Sequence, residues 1–289
     1  MGHTVLRGRR WKKVLDRSMP VLLSIGVFLG VATVAALLFD VVLDGWHRLS
    51  PELITNYASA NPREAGMRSA LLGTIYTVGL SALICIPLSI ATALYLTEFS
   101  GTGRLAGILR YNIANLAGVP SILFGVVGLG FLVYGLGLGR SIIAGAFTLA
   151  ILTLPLVTVT CIEAIKTVPD DLRFGAYALG ATKLQVASKI LLPRSLPMML
   201  TGGILGVSRA IGEAAPILVI SGLLFIREDP TSIFDRFTVA PLQLFNWISR
   251  PQQTFRELAS AGIIVLLLLL LALNATAIIM RHRLTRRLM

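Results

Sequence analysis

Residues 163–193 read EAIKTVPDDLRFGAYALGATKLQVASKILLP and form a polar stretch between two apolar runs. Pro169 suits the start of a helix, and Asp170 and Asp171 complement the positive end of that helix. Gly180 suits the left-handed conformation that closes a helix. The stretch is therefore predicted to hold a short helix that ends at Gly180.

A second short helix is predicted directly after Gly180. Thr182 and Gln185 have the spacing of a capping box, and Pro193 marks the expected end of the helix. A pair of ordered helices between two membrane spans indicates a docking surface for another protein.

The composition of the whole chain places it in a membrane. Of its 289 residues, 55% are apolar and only 14% are charged. Runs of about 18 or more apolar residues predict spanning helices. Six such runs are present, at 19–43, 69–96, 112–134, 141–162, 198–226 and 258–280. The predicted fold is an all-α polytopic membrane protein with six transmembrane helices.

The distribution of Lys and Arg predicts the orientation in the membrane. One side carries 17 of these residues and the other carries eight. Because cytoplasmic loops carry the excess, both termini and the 163–197 loop are expected in the cytoplasm. The chain then divides into a basic tail (1–18), a first helix (19–43), a core of five helices (69–280) that contains the 163–197 loop, and a second basic tail (281–289). The tails are expected to touch anionic membrane lipid.

Arg209 and Glu213 stand four residues apart within the fifth apolar run, so they share a helix face. Each charge costs about 2.5–3.5 kcal/mol at the centre of a membrane, so both must face protein or water. Two interpretations stay open. The residues form either an ion pair that locks two helices or a polar lining for a solute, with Arg209 stabilising an anion.

Proline and glycine within the apolar runs predict breaks in helices or close packing between them. Pro120 and Gly118 open the third run, next to Ser121, whose hydroxyl is a candidate for the solute path. Freed N–H groups at such a break suit anions. Close packing is the favoured interpretation for most of the glycines. The residues assigned to breaks or packing are Pro87, Gly118, Pro120, Gly212 and Pro216.

Several function classes are excluded by the sequence. Gly175 and Gly180 have P-loop spacing, but Ala181 stands where a P-loop needs Lys. Cys85 and Cys161 both fall inside spans and form no metal motif. No catalytic residues, no metal site, no cofactor bound by this chain and no nucleic-acid partner are expected. The outer loop 227–257 is expected to hold short surface helices, with Trp247 in the aromatic belt at the membrane interface.

The 163–193 stretch resembles the EAA loop of permease subunits of binding-protein-dependent ABC importers, whose pattern is E-A-A-x3-G-x9-I-x-L-P. Phe174 and Gly175 replace the first two residues of that pattern. The resemblance implies that this loop grips an ATPase. The residues that it assigns to this coupling are Phe174, Gly175, Ala176, Gly180, Ala181, Ile190, Leu192 and Pro193.

Further segments are similar to the permeases of phosphate importers, the PstA type in particular. They include GTIY at 73–76, ALYLTEF at 93–99, LAGVPS at 116–121 and RAIGEAAP at 209–216. The resemblance implies a type I ABC importer architecture in the bacterial plasma (inner) membrane. It also implies a second permease subunit of the PstC type, two copies of a cytoplasmic ATPase that bind ATP-Mg, and an extracellular or periplasmic phosphate-binding protein. Phosphate would pass Arg209, Glu213 and Ser121.

Two other functions remain open from the residues alone. The Arg209–Glu213 pair also occurs in the kind of membrane site that ion-coupled carriers use, so a secondary transporter or channel is one alternative. A membrane scaffold that uses only the docking loop is the other.

Overall fold

The protein is all-α in the computed structural model, which describes residues 3–101, 103–222 and 225–288. Residues 1, 2 and 289 of the two predicted tails, and residues 102, 223 and 224, lie outside the described residues. The helices are α1 (His3–Gly45), α2 (Pro51–Thr55), α3 (Arg68–Leu94), α4 (Arg104–Leu116), α5 (Ser121–Val127), α6 (Ile142–Lys166), α7 (Asp170–Ala178), α8 (Lys183–Val186), α9 (Leu192–Gly212), α10 (Ala215–Ser221), α11 (Ala240–Ile248) and α12 (Gln253–Leu288).

Within those residues, five helical stretches are long and apolar enough to cross a membrane, and a bent pair makes a sixth. The five are 16–48, 68–99, 142–166, 183–212 and 253–283. The prediction of a helical membrane protein with up to six spans is therefore confirmed.

The core of the molecule is formed by α3, α6 and α9. Helix α6 is the most buried span, because its neighbours cover it on several sides. Small residues of α9 bring it close to the other two helices: Gly202 and Gly206 face Thr160 and Val157 of α6, and Gly203 faces Ile86 of α3. Close packing of this kind gives membrane helices their van der Waals contact in the absence of a hydrophobic driving force.

Helices α1 and α12 lie at the edge of this core, packed against each other. Polar contacts fix α12 to α9: the Ser208 hydroxyl lies 2.5 Å from Asn274 Oδ1, and Arg281 donates to the Thr201 hydroxyl. The apolar side chains of α1 are mostly exposed in this single chain, so they face lipid or another subunit.

The third span, predicted at 112–134, is broken where Gly118 and Pro120 predicted a break. Helix α4 ends at Leu116, α5 begins at Ser121, and the chain bends by 110° between them. Pro120 is extended, with ψ of 134°, and it has no N–H to donate to a continuing helix. A π-helical segment, Gly128–Gly135, then continues α5.

The fifth span also differs from the predicted 198–226. It begins at Lys183, where α8 runs through the π-helical turn Ala187–Leu191 directly into α9. The expectation that Pro193 ends the second loop helix is therefore wrong. The π turn shifts the hydrogen-bond register just before Pro193, so the missing N–H is accommodated in the first turn of α9. The helix ends at Gly212, and α10 follows after a break.

The outer loop is built against α3 and α12. The Ala240 N–H donates to the Thr74 hydroxyl over 2.8 Å, and Arg68 forms a two-pronged ion pair with Asp229. Helix α11 is the expected short helix of this loop. Trp247 on α11 is fully buried in the protein, so its ring does not face lipid, and its position near the membrane interface stays a prediction. It packs in an apolar cluster with Phe255 and Leu244, and burial of its large ring removes a large apolar area from solvent.

Candidate functional site

Arg209 opens onto a recess of about 150 Å³ between three parts of the chain. The break between α4 and α5 supplies one wall, α6 supplies another, and Arg209 of α9 lies between them. All the other lining residues are apolar: Leu116, Ala117, Val119, Phe124, Leu152, Pro155, Leu156 and Val159. A cation in an otherwise apolar recess is suited to attract a single anion.

The Arg209 guanidinium is held by its neighbour on the same helix. Its Nε lies 3.2 Å from Oε1 of Glu213. The two side chains are unequally covered, with 43% of Arg209 exposed and only 17% of Glu213. The carboxylate therefore fixes one edge of the guanidinium, and the remaining N–H groups stay available to a ligand.

The structure brings the two broken helices together beside this pair. A Cβ added at Gly125 of α5 would lie 2.7 Å from the backbone of Pro216 in α10, so the two backbones are in direct contact. Non-helical backbone at membrane depth is tolerated where protein or water satisfies it. The predicted break residues lie around this contact: Gly118 and Pro120 precede α5, Gly212 ends α9, and Pro216 starts α10.

Of the residues predicted for the solute path, Arg209 lines the recess, whereas Glu213 and Ser121 do not. Ser121 is the first residue of α5 and lies outside the residues that line the recess. Pro87 lies in the middle of α3, which runs through it without a break.

Residues 170–193, which we call the coupling segment, have the local structure that their sequence predicts. Helix α7 begins at Asp170, and Gly180 has φ of +85°, the left-handed conformation that ends a helix. The capping box is complete: the Gln185 N–H donates to Thr182 Oγ1 over 3.3 Å, and the Thr182 N–H donates to Gln185 Oε1 over 2.8 Å. Helix α7 therefore ends at the turn around Gly180, and the start of α8 is capped directly after it.

The residues assigned to coupling divide between an outer and an inner face. Phe174 is 64% exposed and Gly175 is open on its side-chain face. Leu179 and Leu184 extend this exposed apolar surface. On the inner side, an apolar cluster contacts the half-buried members of the set, which are Ala176, Ala181 and Leu192. Ile190 and Pro193 are also half-buried.

Glu98 is a functional candidate that the sequence analysis missed. It lies in the π-helical turn Tyr95–Phe99 that ends α3, with 5% of its side chain exposed. The Tyr177 hydroxyl donates to Glu98 Oε1, and Arg173 Nε lies 3.5 Å from Oε2. Burial, together with the bond to Glu98, raises the pKa of Tyr177 to about 12, so its hydroxyl stays protonated and donating.

The signal for Glu98 in the sequence is weak. A carboxylate at the end of an apolar run usually lies in water, and the partners of Glu98 are 75 and 79 residues further along the chain. Only the fold brings them together.

The match to known proteins covers most of this architecture. Residues 86–289 match the family described as "binding-protein-dependent transport system inner membrane component". The chain belongs to this family. It is therefore a multi-pass membrane component of a transport system, and the matched region contains the recess, the breaks and the coupling segment.

Two curated relatives extend the match toward the N-terminus. The chain is 31% identical to the phosphate transport system permease protein PstA of Haemophilus influenzae, over 94% of this chain and 96% of the relative. It is also 31% identical to the probable ABC transporter permease protein YqgI of Bacillus subtilis, over 83% and 82% of the two chains.

A solved structure supports the fold. A bacterial alginate ABC transporter, in complex with an alginate-bound periplasmic protein, has a chain that aligns with 96% of this one at a TM-score of 0.70. The two sequences are only 14% identical. The fold is therefore that of an ABC importer permease.

Proposed function

We propose that this chain is the permease subunit of an ATP-driven importer of inorganic phosphate. The observation that carries the proposal is Arg209, a partly exposed cation in an apolar recess where two broken helices meet. The PstA-type relatives, whose names include phosphate transport, support the choice of anion.

The chemistry of Arg209 fits phosphate. The guanidinium offers paired N–H donors that match two oxygens of a phosphate group. Glu213 occupies one edge of the guanidinium, which limits the number of bonds to a bound anion. Transport needs binding that is strong enough to draw the anion in and weak enough to release it. A single, partly neutralised cation meets both conditions.

In the proposed assembly, three kinds of partner cover surfaces that are exposed in this single chain. A second permease subunit of the PstC type closes the other side of the recess. Two copies of a cytoplasmic ATPase bind ATP-Mg and dock on the exposed surface around Phe174 and Leu179. A phosphate-binding protein docks on the outer loop. Both termini of this chain lie in the cytoplasm, and ATP hydrolysis belongs to the partner subunit.

The proposal is tested by reconstituting the chain with these partners in liposomes and measuring ATP-dependent phosphate uptake. Arg209→Ala is expected to reduce uptake by at least about tenfold, since a charged hydrogen-bond partner of the anion is lost. The matched control is Arg283→Ala, which removes an exposed cation of the C-terminal tail. Uptake that survives Arg209→Ala would contradict the proposed path.

The choice of anion and the need for ATP are tested in the same liposomes. Sulfate or molybdate in excess is expected to leave phosphate uptake intact. Uptake of those anions in place of phosphate would overturn the choice of substrate. Gradient-driven flux through the purified chain alone would favour the secondary transporter instead.

A further inference from the structure

The π-helical turn Tyr95–Phe99 at the end of α3 contacts two other helices, α4 and α7. We propose that this turn, through Glu98 and the Leu96 carbonyl, is a relay that carries movement of α7 to α4 and thus to the wall of the Arg209 recess. The inference rests on the proposed function, because it assigns a second route for the movement that the ATPase produces.

The first contact joins the turn to the coupling helix. Both carboxylate oxygens of Glu98 are taken by residues of α7, one by the Tyr177 hydroxyl and the other by the Arg173 guanidinium. Tyr177 and Arg173 lie four residues apart, so they occupy one face of α7. Phe174, between them in sequence, is exposed on another face. Helix α7 therefore presents one side to a partner and holds α3 with the other.

The second contact joins the same turn to α4. Arg110 Nη2 donates to the Leu96 carbonyl over 2.6 Å, and the Ser100 hydroxyl donates to the same oxygen over 3.0 Å. Apolar packing supports this bond, since Leu96 contacts Ala106 and Ile113 on either side of Arg110. A π-type turn widens the helix and often marks a functional position. Here it contains both the carbonyl that α4 binds and the carboxylate that α7 binds.

Helix α4 leads from this contact to the recess. It ends at Leu116, and Leu116, Ala117 and Val119 line the recess opposite Arg209. The covalent route from the coupling segment runs through α8 and α9 to Arg209 itself. The two routes therefore reach different walls of one recess. Movement of α7 that arrives by both routes changes the separation of Arg209 from the α4–α5 break.

Glu98 and Arg110 are thus positioning residues, and they differ in their effects from residues that only stabilise the fold. Loss of the relay should leave docking of the ATPase and its hydrolysis of ATP in place, because the exposed face of α7 is unchanged. Phosphate movement per ATP should fall, because one wall of the recess no longer follows the coupling helix.

The test compares wild type, Glu98→Gln, Tyr177→Phe and the double variant in liposomes with all partners. Phosphate uptake and ATP hydrolysis are measured together, and their ratio is the readout. Each single variant is expected to lower the ratio about two- to tenfold while hydrolysis stays near the wild-type rate. The double variant is expected to do no more than the stronger single variant, since both remove the same contact. Arg110→Gln is expected to give the same phenotype from the other side of the turn.

The matched control is Glu163→Gln, which neutralises an exposed carboxylate paired with Lys166 at the end of α6. Its ratio should equal that of wild type. If Glu98→Gln does not assemble, Tyr177→Phe, which removes a single oxygen atom, decides the question. A wild-type ratio in Tyr177→Phe and Arg110→Gln would overturn the relay. Absence of phosphate uptake by the wild-type assembly would instead overturn the proposed function.

Discussion

Arg209 and Glu98 differ in how far their contacts could be predicted from the sequence. Arg209 and Glu213 are four apart in an apolar run, so helical geometry alone predicts that they share a face, and their atoms lie 3.2 Å apart. Glu98 finds its partners on a distant helix, and nothing local in its sequence indicates them. Interactions within one helix could be predicted from spacing, whereas those between helices required the packing of the whole chain.

Gly125 is a residue at which a single methyl group should disturb the meeting of the two broken helices. In Gly125→Ala the new Cβ would stand 2.7 Å from the Pro216 backbone, so one of the two backbones would have to shift. We expect a loss of about 1–3 kcal/mol in the free energy of unfolding. Thermal unfolding of the purified protein checks this. Gly130→Ala is the control, because no heavy atom lies within 4 Å of the added carbon; equal loss in both variants would contradict the close contact.

Asp235 makes the outer loop sensitive to acid. Its carboxylate accepts from the N–H groups of Thr231 and Ser232, each over 2.7 Å, and these bonds lower its pKa below the ordinary value of 3.8. A lowered pKa in the folded state means that the carboxylate stabilises the loop above pH 3.8 and that this contribution is lost as the pH falls through the lowered value.

The pH effect predicts a difference between wild type and Asp235→Asn. Hydrogen exchange at 231–235 should be faster in the variant at pH 7, and the difference should vanish once wild-type Asp235 is protonated. Glu228→Gln, at an exposed carboxylate of the same loop, is the control. A difference that persists unchanged at the lowest pH would show that the carboxylate does not act through its charge.

At the scale of elements, the coupling segment was the most predictable part and the broken spans were the least. The start of α7, the left-handed Gly180 and the capping box each follow from local rules, and each is confirmed. Gly118, Pro120, Gly212 and Pro216 indicated where two spans break, but not the 110° bend at the first break. Proline alone did not decide the outcome, since α3 continues through Pro87 and Pro193 lies in the first turn of α9.

The angle between α7 and α8 depends on Gly180. Gly180→Ala places a Cβ in the left-handed region at φ of +85°, which costs about 1–2 kcal/mol. We expect hydrogen exchange over 170–186 to become about five- to thirtyfold faster, at 1.4 kcal/mol for each factor of ten. Gly175→Ala is the control, since its position is helical and open. Exchange that is unchanged in Gly180→Ala would contradict the role of this conformation.

At the scale of the whole molecule, the membrane orientation follows from charge rather than from any contact. The basic tails and the 163–197 loop are predicted to share the cytoplasmic side, opposite the loop that contains α11.

Cysteine labelling tests the orientation, with a low background because Cys85 and Cys161 are buried. Ser232→Cys in the outer loop should react with a membrane-impermeant maleimide in intact cells. His282→Cys in the C-terminal tail should react only after permeabilisation. Both positions are exposed in the structure. The reverse pattern would place the coupling segment outside the cell and remove the basis for an ATPase partner.

The uninterrupted helical stretch Lys183–Gly212 is a single rod that connects the coupling segment to Arg209. Its 30 residues span roughly 45 Å, and Arg209 lies near the end that is farthest from the coupling helix. A tilt of about 5° around the near end would sweep the far end through about 4 Å, more than the width of one water molecule. Rocking of this rod by a few degrees is therefore enough to open or seal a passage for a single small anion.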